Sequence, residues 1–294
     1  MLNLEKLSPI LFLLMWSSGA IFVKMGLEDA SVWSFLTLRV TGASVLITII
    51  AIFWRGSHFT SLAKLQRPVL IKLLLSGFLL QVCYQASYFL AINYQLSPGI
   101  VAMVLGLQPL LTPFLSKEHV SLKSYLTLIL GFAGLIIAVY GARDVSHITF
   151  LGLLFAIVAV LAITTGSVYQ KQINVHPIAS ALIQNALAAC IFMAVSSLVG
   201  WEVHWTTQFI ISAAWMIGVV STSAVLLLLY MLSKDSASSV SVLFYLVPIL
   251  TMAFDYMAFG TTITVTTVFG SSMVIGSIYL FRQPAMTPKL VKVN

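Results

Sequence analysis

The chain is 294 residues long, 60% hydrophobic and only 8% charged. Soluble domains carry about 25% charged residues, so a water-soluble enzyme is excluded. The net charge of +7 does not point to nucleic acid, because the basic residues are scattered between apolar runs and build no patch.

A bilayer core is crossed by roughly 20 apolar residues, and the sequence has room for ten such segments with short connections. In chain order they are predicted over 8–27, 33–54, 69–92, 97–116 and 122–140, then 149–170, 178–199, 208–231, 237–258 and 264–281. The first run resembles a leader peptide, with Ser17-Ser18-Gly19-Ala20 as small residues. It is read instead as a membrane helix, because further spans follow it and its residues return in the sixth span. The fold class is therefore all-α, integral to the membrane.

The first span carries Trp16, Ser17 and Ser18 near mid-depth and Lys24 toward its end; the second carries Arg39. In the third, Gln81, Gln85 and Tyr88 stand at i, i+4 and i+7 on one helical face, with Tyr84 beside them. Amide and phenol groups suit a hydrogen-bonding or zwitterionic solute, and the rings suit its apolar part. The other reading is hydrogen bonding between helices. In the fourth span Gln108 precedes Pro109, which removes a backbone donor and frees the carbonyl of residue 105. Pro248 in the ninth span does the same beside Tyr245. Thr164, Thr165 and Tyr169 lie in the sixth. Small hydroxyl residues also serve tight helix contacts, so Ser17 and Thr165 suit packing as readily as solute contact. Ser238, Ser239 and Ser241 add small polar groups in the ninth span.

An internal echo divides the chain. Ser18-Gly19-Ala20-Ile21-Phe22-Val23-Lys24 returns as Thr165-Gly166-Ser167-Val168-Tyr169-Gln170-Lys171, and Leu107-Gln108-Pro109-Leu110-Leu111-Thr112 returns as Leu246-Val247-Pro248-Ile249-Leu250-Thr251. Residues 1–144 and 145–294 are thus expected to be two repeats of five spans. Five is odd, so the second repeat enters the membrane from the opposite side. Inverted repeats exchange conformations and expose a central site to each side in turn.

Orientation follows from Lys and Arg. With the N-terminus inside, twelve basic residues fall on the inner side and only Arg143 on the outer, so both termini are expected in the cytoplasm, in a cell (inner) membrane. Lys24, Arg39 and Asp255 then lie toward the outer ends of their spans. The two basic side chains are able to snorkel to the interface. Alternatively Asp255, an acid among Phe254, Tyr256 and Met257, pairs with one of them to close the outer mouth, or exchanges a proton during a cycle. Glu118, between Lys117 and His119, is read as a solvated loop charge. The five histidines fall in predicted loops without metal-ligand spacing, and Cys83 and Cys190 sit in apolar runs without a disulfide framework. No cofactor is expected.

Trp16-Ser17-Ser18-Gly19 through Lys24 and then Arg39 resembles the opening of the EamA repeat of the drug/metabolite transporter (DMT) superfamily. Leu96-Ser97-Pro98-Gly99 through Gln108-Pro109-Leu110-Leu111, then Glu118 and Gly131-Phe132-Ala133-Gly134, resembles its continuation. Phe244-Tyr245-Leu246-Val247-Pro248 is similar to the matching element of the second repeat. The resemblance runs from about residue 8 to 281. It implies ten helices, an inverted repeat and export of small metabolites, most like the amino-acid exporter branch. The chain departs from the family where Gly260-Thr261 replaces the usual Gly-Glu pair and where Asp255 stands at a usually apolar position.

The expected function is a secondary carrier exporting a small amphipathic metabolite, an amino acid or related zwitterion, through a central cavity. Its lining would draw on Trp16, Ser17, Gln81, Tyr84, Gln85, Tyr88, Gln108, Thr165, Tyr169 and Tyr245. Lys24, Arg39, Pro109, Pro248 and Asp255 would gate or couple it. Its partners would be the small-molecule substrate, membrane lipid and, if Asp255 titrates, protons; no oligomer is required. The absence of a phosphate-binding glycine loop leaves a gradient as the energy source. The alternatives are a passive channel, which would show a filter or rings of like groups, and a membrane enzyme, which would need paired acids, an activated nucleophile or metal ligands at depth.

Overall fold

The structure, a computed structural model, describes residues 4–53, 65–118, 120–141, 149–259 and 264–282; the side chains of residues 4–6, 255, 258, 259 and 282 lie outside that description. In the first half stand α1 (Leu4–Leu27), α2 (Val32–Phe53), α3 (Arg67–Asn93), α4 (Pro98–Ser116) and α5 (Leu122–Gly141). In the second stand α6 (Phe150–Lys171), α7 (Pro177–Val199), α8 (Thr207–Lys234), α9 (Ala237–Ser241, Val242–Tyr245 and Leu246–Phe259) and α10 (Val265–Arg282). Nine of the described helices are long and apolar enough to cross a bilayer, and α10 adds the shorter apolar stretch Val265–Phe281. Strand-like pairing among the described residues is confined to the bridge between Ala30 and Val203. The protein is thus an all-α, multi-pass membrane protein.

Local chemistry sets the ends of these helices. Ser97, Thr149, Thr206 and Ser236 each accept a first-turn backbone N–H through the side-chain oxygen. Proline fills the first turn of α3, α4 and α7, where a missing N–H costs nothing. Inside the helices, the departures from regularity come in matched pairs. The third helix of each half opens into a wide π turn, Phe78–Cys83 in α3 and Met216–Ala224 in α8. In α8 the hydroxyls of Thr222 and Ser223 donate to carbonyls five residues back, those of Ile217 and Gly218. The fourth helix of each half is interrupted. In α4 the break is at Gly106–Leu107, where Gln108-Pro109 opens a new helical stretch, and in α9 it is the tight 3-10 turn Val242–Tyr245 just before Pro248. Proline here forbids a continuous ladder of backbone bonds.

The packing has the same symmetry. Helix α2 packs on α7, α5 on α10 and α4 on α9; α1 packs on α8 and α9, and α6 on α3 and α4. Exchanging each helix with its counterpart five places along turns this set of pairs into itself, as a two-fold relation between the halves requires. The α5–α10 pair is the tightest crossing. A Cβ on Gly270 would lie 2.5 Å from the Gly134 carbonyl oxygen and 2.4 Å from the Ala138 nitrogen, so only glycine permits the approach. At the end of that crossing the hydroxyls of Thr264 and Thr267 donate to the carbonyls of Gly141 (2.8 Å) and Ala138 (3.2 Å).

Between α1 and α2, the loop is pinned to the loop between α7 and α8. Thr206 Oγ1 donates to the Asp29 carboxylate (2.6 Å), Gln208 Nε2 to that of Glu28 (2.7 Å), and the Glu202 N–H to Ser34 Oγ (3.0 Å). The α1–α2 and α7–α8 hairpins, from different halves, are thereby joined at one end of the molecule.

Candidate binding cavity

Helices α1, α2, α3, α4, α8 and α9 leave a cavity between the halves. Trp16, Gly19, Ala20 and Val23 of α1 line it, with Arg39 of α2, Tyr84, Gln85 and Tyr88 of α3, and Ala102 and Leu105 of α4. Met216 and Val220 of α8 and Val247 and Thr251 of α9 complete the wall. Its free volume of about 30 Å³ holds one or two water molecules and no larger solute. Both π turns border it. The turn of α3 ends at Cys83, directly before Tyr84 and Gln85, and the turn of α8 supplies Met216 and Val220. Wide turns of this kind often mark functional sites.

Arg39 is the charged member of this lining, and it is only 5% exposed. Its Nε–H donates to Ser221 Oγ at 2.5 Å, and its guanidinium carbon stands 5.4 Å from the centre of the Phe89 ring. Ser221 comes from the π turn of α8, so the two halves meet at this bond. Beside Arg39, Gln85 donates through Nε2 to Gln81 Oε1, which leaves Gln85 Oε1 buried without a hydrogen-bond partner.

One end of the cavity is closed by rings. Trp16 stacks on Tyr84 (6.0 Å, 15° between planes) and meets Phe244 edge-on at 5.8 Å, while Phe12 lies 5.1 Å from Trp16 and 5.5 Å from Phe244. Leu13, Leu228 and Leu243 fill the space behind them. This is the end that carries the N-terminus of α1, the C-terminus of α4 and the start of α9. There the Glu118 carboxylate accepts the N–H groups of Ala237 (3.1 Å) and Ser238 (3.3 Å). Read from sequence as a solvated charge, Glu118 in fact caps α9 and ties it to the end of α4. A carboxylate is favoured there by the unsatisfied N–H groups and the helix dipole.

Of the sequence-predicted residues, the structure brings Trp16, Tyr84, Gln85, Tyr88 and Arg39 together in one lining. Gln81 is buried behind Gln85. Ser17 is fully buried, and its carbonyl accepts from Thr251 Oγ1 at 3.2 Å. Gln108 lies buried at the break in α4, with its carbonyl taken by Thr112 Oγ1. Thr165 and Tyr169 are half-buried on α6, away from the cavity, while neighbouring Thr164 bonds back to the Val160 carbonyl. Tyr245 turns toward α5, donating its hydroxyl to the Leu128 carbonyl at 2.7 Å. Pro109 and Pro248 are buried at the two interrupted helices, and Lys24 is exposed near the end of α1. The side chain of Asp255 and the Gly260-Thr261 pair lie outside the described residues.

Sequence reasoning missed Ser221 and Phe89, which hold Arg39, and the cap made by Glu118. It also missed a buried polar cluster joining α3, α6 and α7, in which Ser76 Oγ and Gln184 Nε2 both donate to Gln170 Oε1 (3.0 and 2.6 Å). The polar residues were legible one by one; no spacing in a single helix reveals a network spread over three.

Comparison with known proteins gives a consistent picture. The family described as the EamA-like transporter family matches the chain twice, over residues 7–140 and 150–283. A protein of Salmonella typhimurium named "Probable amino-acid metabolite efflux pump" is 22% identical, the match covering 92% of each chain. A protein known from a crystal structure, 18% identical in sequence, superposes with a TM-score of 0.72 over 96% of this chain and 98% of its own, which establishes a shared fold.

Proposed function

The chain belongs to the EamA-like transporter family, and from that premise we propose that it is a secondary carrier moving a small amphipathic metabolite, an amino acid or related zwitterion, out of the cell by alternating access. The observation that carries this reading is the cavity at the seam of the halves, lined by one buried cation, an unpaired amide oxygen and three large rings. Its small volume corresponds to an occluded conformation, in which a solute enters only when the helices part. The Phe12–Trp16–Phe244 cluster and the Glu118 cap close one end in that conformation. With both termini in the cytoplasm, as the distribution of Lys and Arg favours, the closed end is the inner one.

The internal echo indicates how the other conformation is built. Gly19 on α1 borders the cavity, and its counterpart Gly166 on α6 is filled in, a Cβ there meeting Leu80 at 2.7 Å. Exchange of the two halves empties the filled side, and Thr165 and Tyr169 then stand where Ser18 and Phe22 stand now. Inverted repeats relate the two conformations by exchange of the halves, and the energies differ where the two sequences differ.

Counterflow in proteoliposomes loaded with members of an amino-acid and metabolite panel tests the proposal. Saturable uptake of labelled solute, accelerated by the same unlabelled solute inside, is the expected result. Ohmic single-channel currents, or flux linear in concentration with no acceleration, would overturn it.

A further inference from the structure

Resting on that reading, we infer that Arg39 is the docking point for a substrate carboxylate, and that the cavity selects solutes by this group and not by their ammonium. The inference begins with what Arg39 lacks. A guanidinium carries five N–H donors and no acceptor. Here one donor goes to Ser221, a ring face covers the carbon, and no carboxylate among the described residues pairs with the charge. A charge held at depth in a membrane protein is costly unless it finds a partner or serves a cavity. Arg39 lines the cavity, with its Nη groups uncommitted to any described acceptor. Its planar fork matches a carboxylate through two parallel hydrogen bonds.

The rest of the wall narrows the solute further. Trp16, Tyr84, Gln85, Tyr88 and Thr251 supply its other polar or aromatic groups, and all are neutral. An ammonium would find Gln85 Oε1, which has no partner, and the faces of the rings, but no carboxylate among the described residues of the lining. A solute bearing one carboxylate neutralises the site, whereas one bearing only an ammonium adds a second positive charge beside Arg39. The aromatic and aliphatic lining suits an apolar side chain. The recognised class is therefore a monocarboxylate with an apolar or aromatic body. A free amino acid is accepted because it carries that group.

Thermal stabilisation of the purified protein by phenylalanine, N-acetylphenylalanine and phenylalaninamide separates the contributions. The two carboxylates are expected to bind within about threefold of each other, and the amide at least about tenfold more weakly, since losing a buried charge partner exceeds one decade of affinity. In Arg39→Gln both carboxylates should weaken by at least about tenfold and the preference over the amide should vanish. Arg39→Lys, which keeps the charge, should retain the preference and guards against a misfolded Gln variant. Equal binding of amide and acid by the wild-type protein, or no binding of either acid, overturns the assignment. If amino acids still show counterflow while the amide binds as well as the acid, the carrier reading stands and the role of Arg39 alone is lost.

Discussion

Replacing Trp16 with alanine is expected to lower counterflow at least about tenfold. The indole touches three other rings, those of Phe12, Tyr84 and Phe244, and it forms both the wall of the cavity and the plug at one end. Truncating a buried aromatic costs about 3–5 kcal/mol in soluble cores. Trp16 is half-buried, so a loss of about 2 kcal/mol is the more suitable figure, and each 1.4 kcal/mol is a decade in population or rate. On the proposed alternating-access reading, the loss falls on the conformation in which the plug is formed, so that conformation empties and the two sides are no longer sealed in turn. Trp16→Phe keeps a ring in contact with Phe12 and Phe244 and should retain activity within about threefold. Wild-type counterflow in Trp16→Ala, with the protein folded, would mean that this cluster neither lines nor seals the path.

The second large effect is expected at Glu118. Its carboxylate accepts two N–H groups at the first turn of α9, and removal of such a cap costs about 0.5–2 kcal/mol. Because the acceptor is charged, the upper end of that range applies, and about 2 kcal/mol shifts a two-state balance roughly 30-fold. The contact joins α4 of one half to α9 of the other, so it stabilises only conformations closed at that end. Val240, buried behind the plug, reports on them. With Cys83 and Cys190 replaced, a thiol at Val240 should react with an impermeant reagent roughly 30-fold faster once Glu118→Ala is added. Glu118→Gln, which keeps a neutral acceptor, should fall between. An unchanged rate would reduce the cap to a local helix-end contact. Where the family usually carries a Gly-Glu pair in the second repeat, this sequence has Gly260-Thr261, which offers no carboxylate. On the carrier reading proposed above, the two mouths are therefore chemically unequal, with a bias toward closure at the Glu118 end.

The ten spans were legible because bilayer crossing imposes a length and an apolar content, and because Ser-Pro, Thr and Gly mark helix starts and breaks. The expected limits agree with the observed ones to within a few residues over the described chain. Which side of a helix faces the cavity was less legible. The face built from Gln81, Gln85 and Tyr88, with Tyr84 beside it, assumed regular turns; the π turn ending at Cys83 changes the register, and Tyr84, Gln85 and Tyr88 line the cavity while Gln81 stands behind Gln85. Depth along a span can be read from hydropathy, whereas direction around its axis depends on neighbours distant in sequence. Arg39 illustrates this. From its position in the N-terminal part of α2, interfacial snorkelling was a reasonable expectation. The structure buries it, because Ser221 and Phe89, 182 and 50 residues away, provide an acceptor and a ring face that the sequence of α2 does not contain. Tyr245 shows the opposite case. Its neighbour Pro248 suggested a helix break lining the site, but the glycine at 131 leaves room on α5 for the ring, and the hydroxyl finds the Leu128 carbonyl.

Alternating access at the seam is tested most directly at Ala20, a small residue of the cavity wall. In protein lacking Cys83 and Cys190, Ala20→Cys is placed in right-side-out and in inside-out vesicles and exposed to an impermeant thiol reagent. The account predicts modification from both faces, slowed from each by saturating solute, with Glu118→Ala raising the rate from the face that bears the start of α1. Modification from one face only, under every condition, would contradict it.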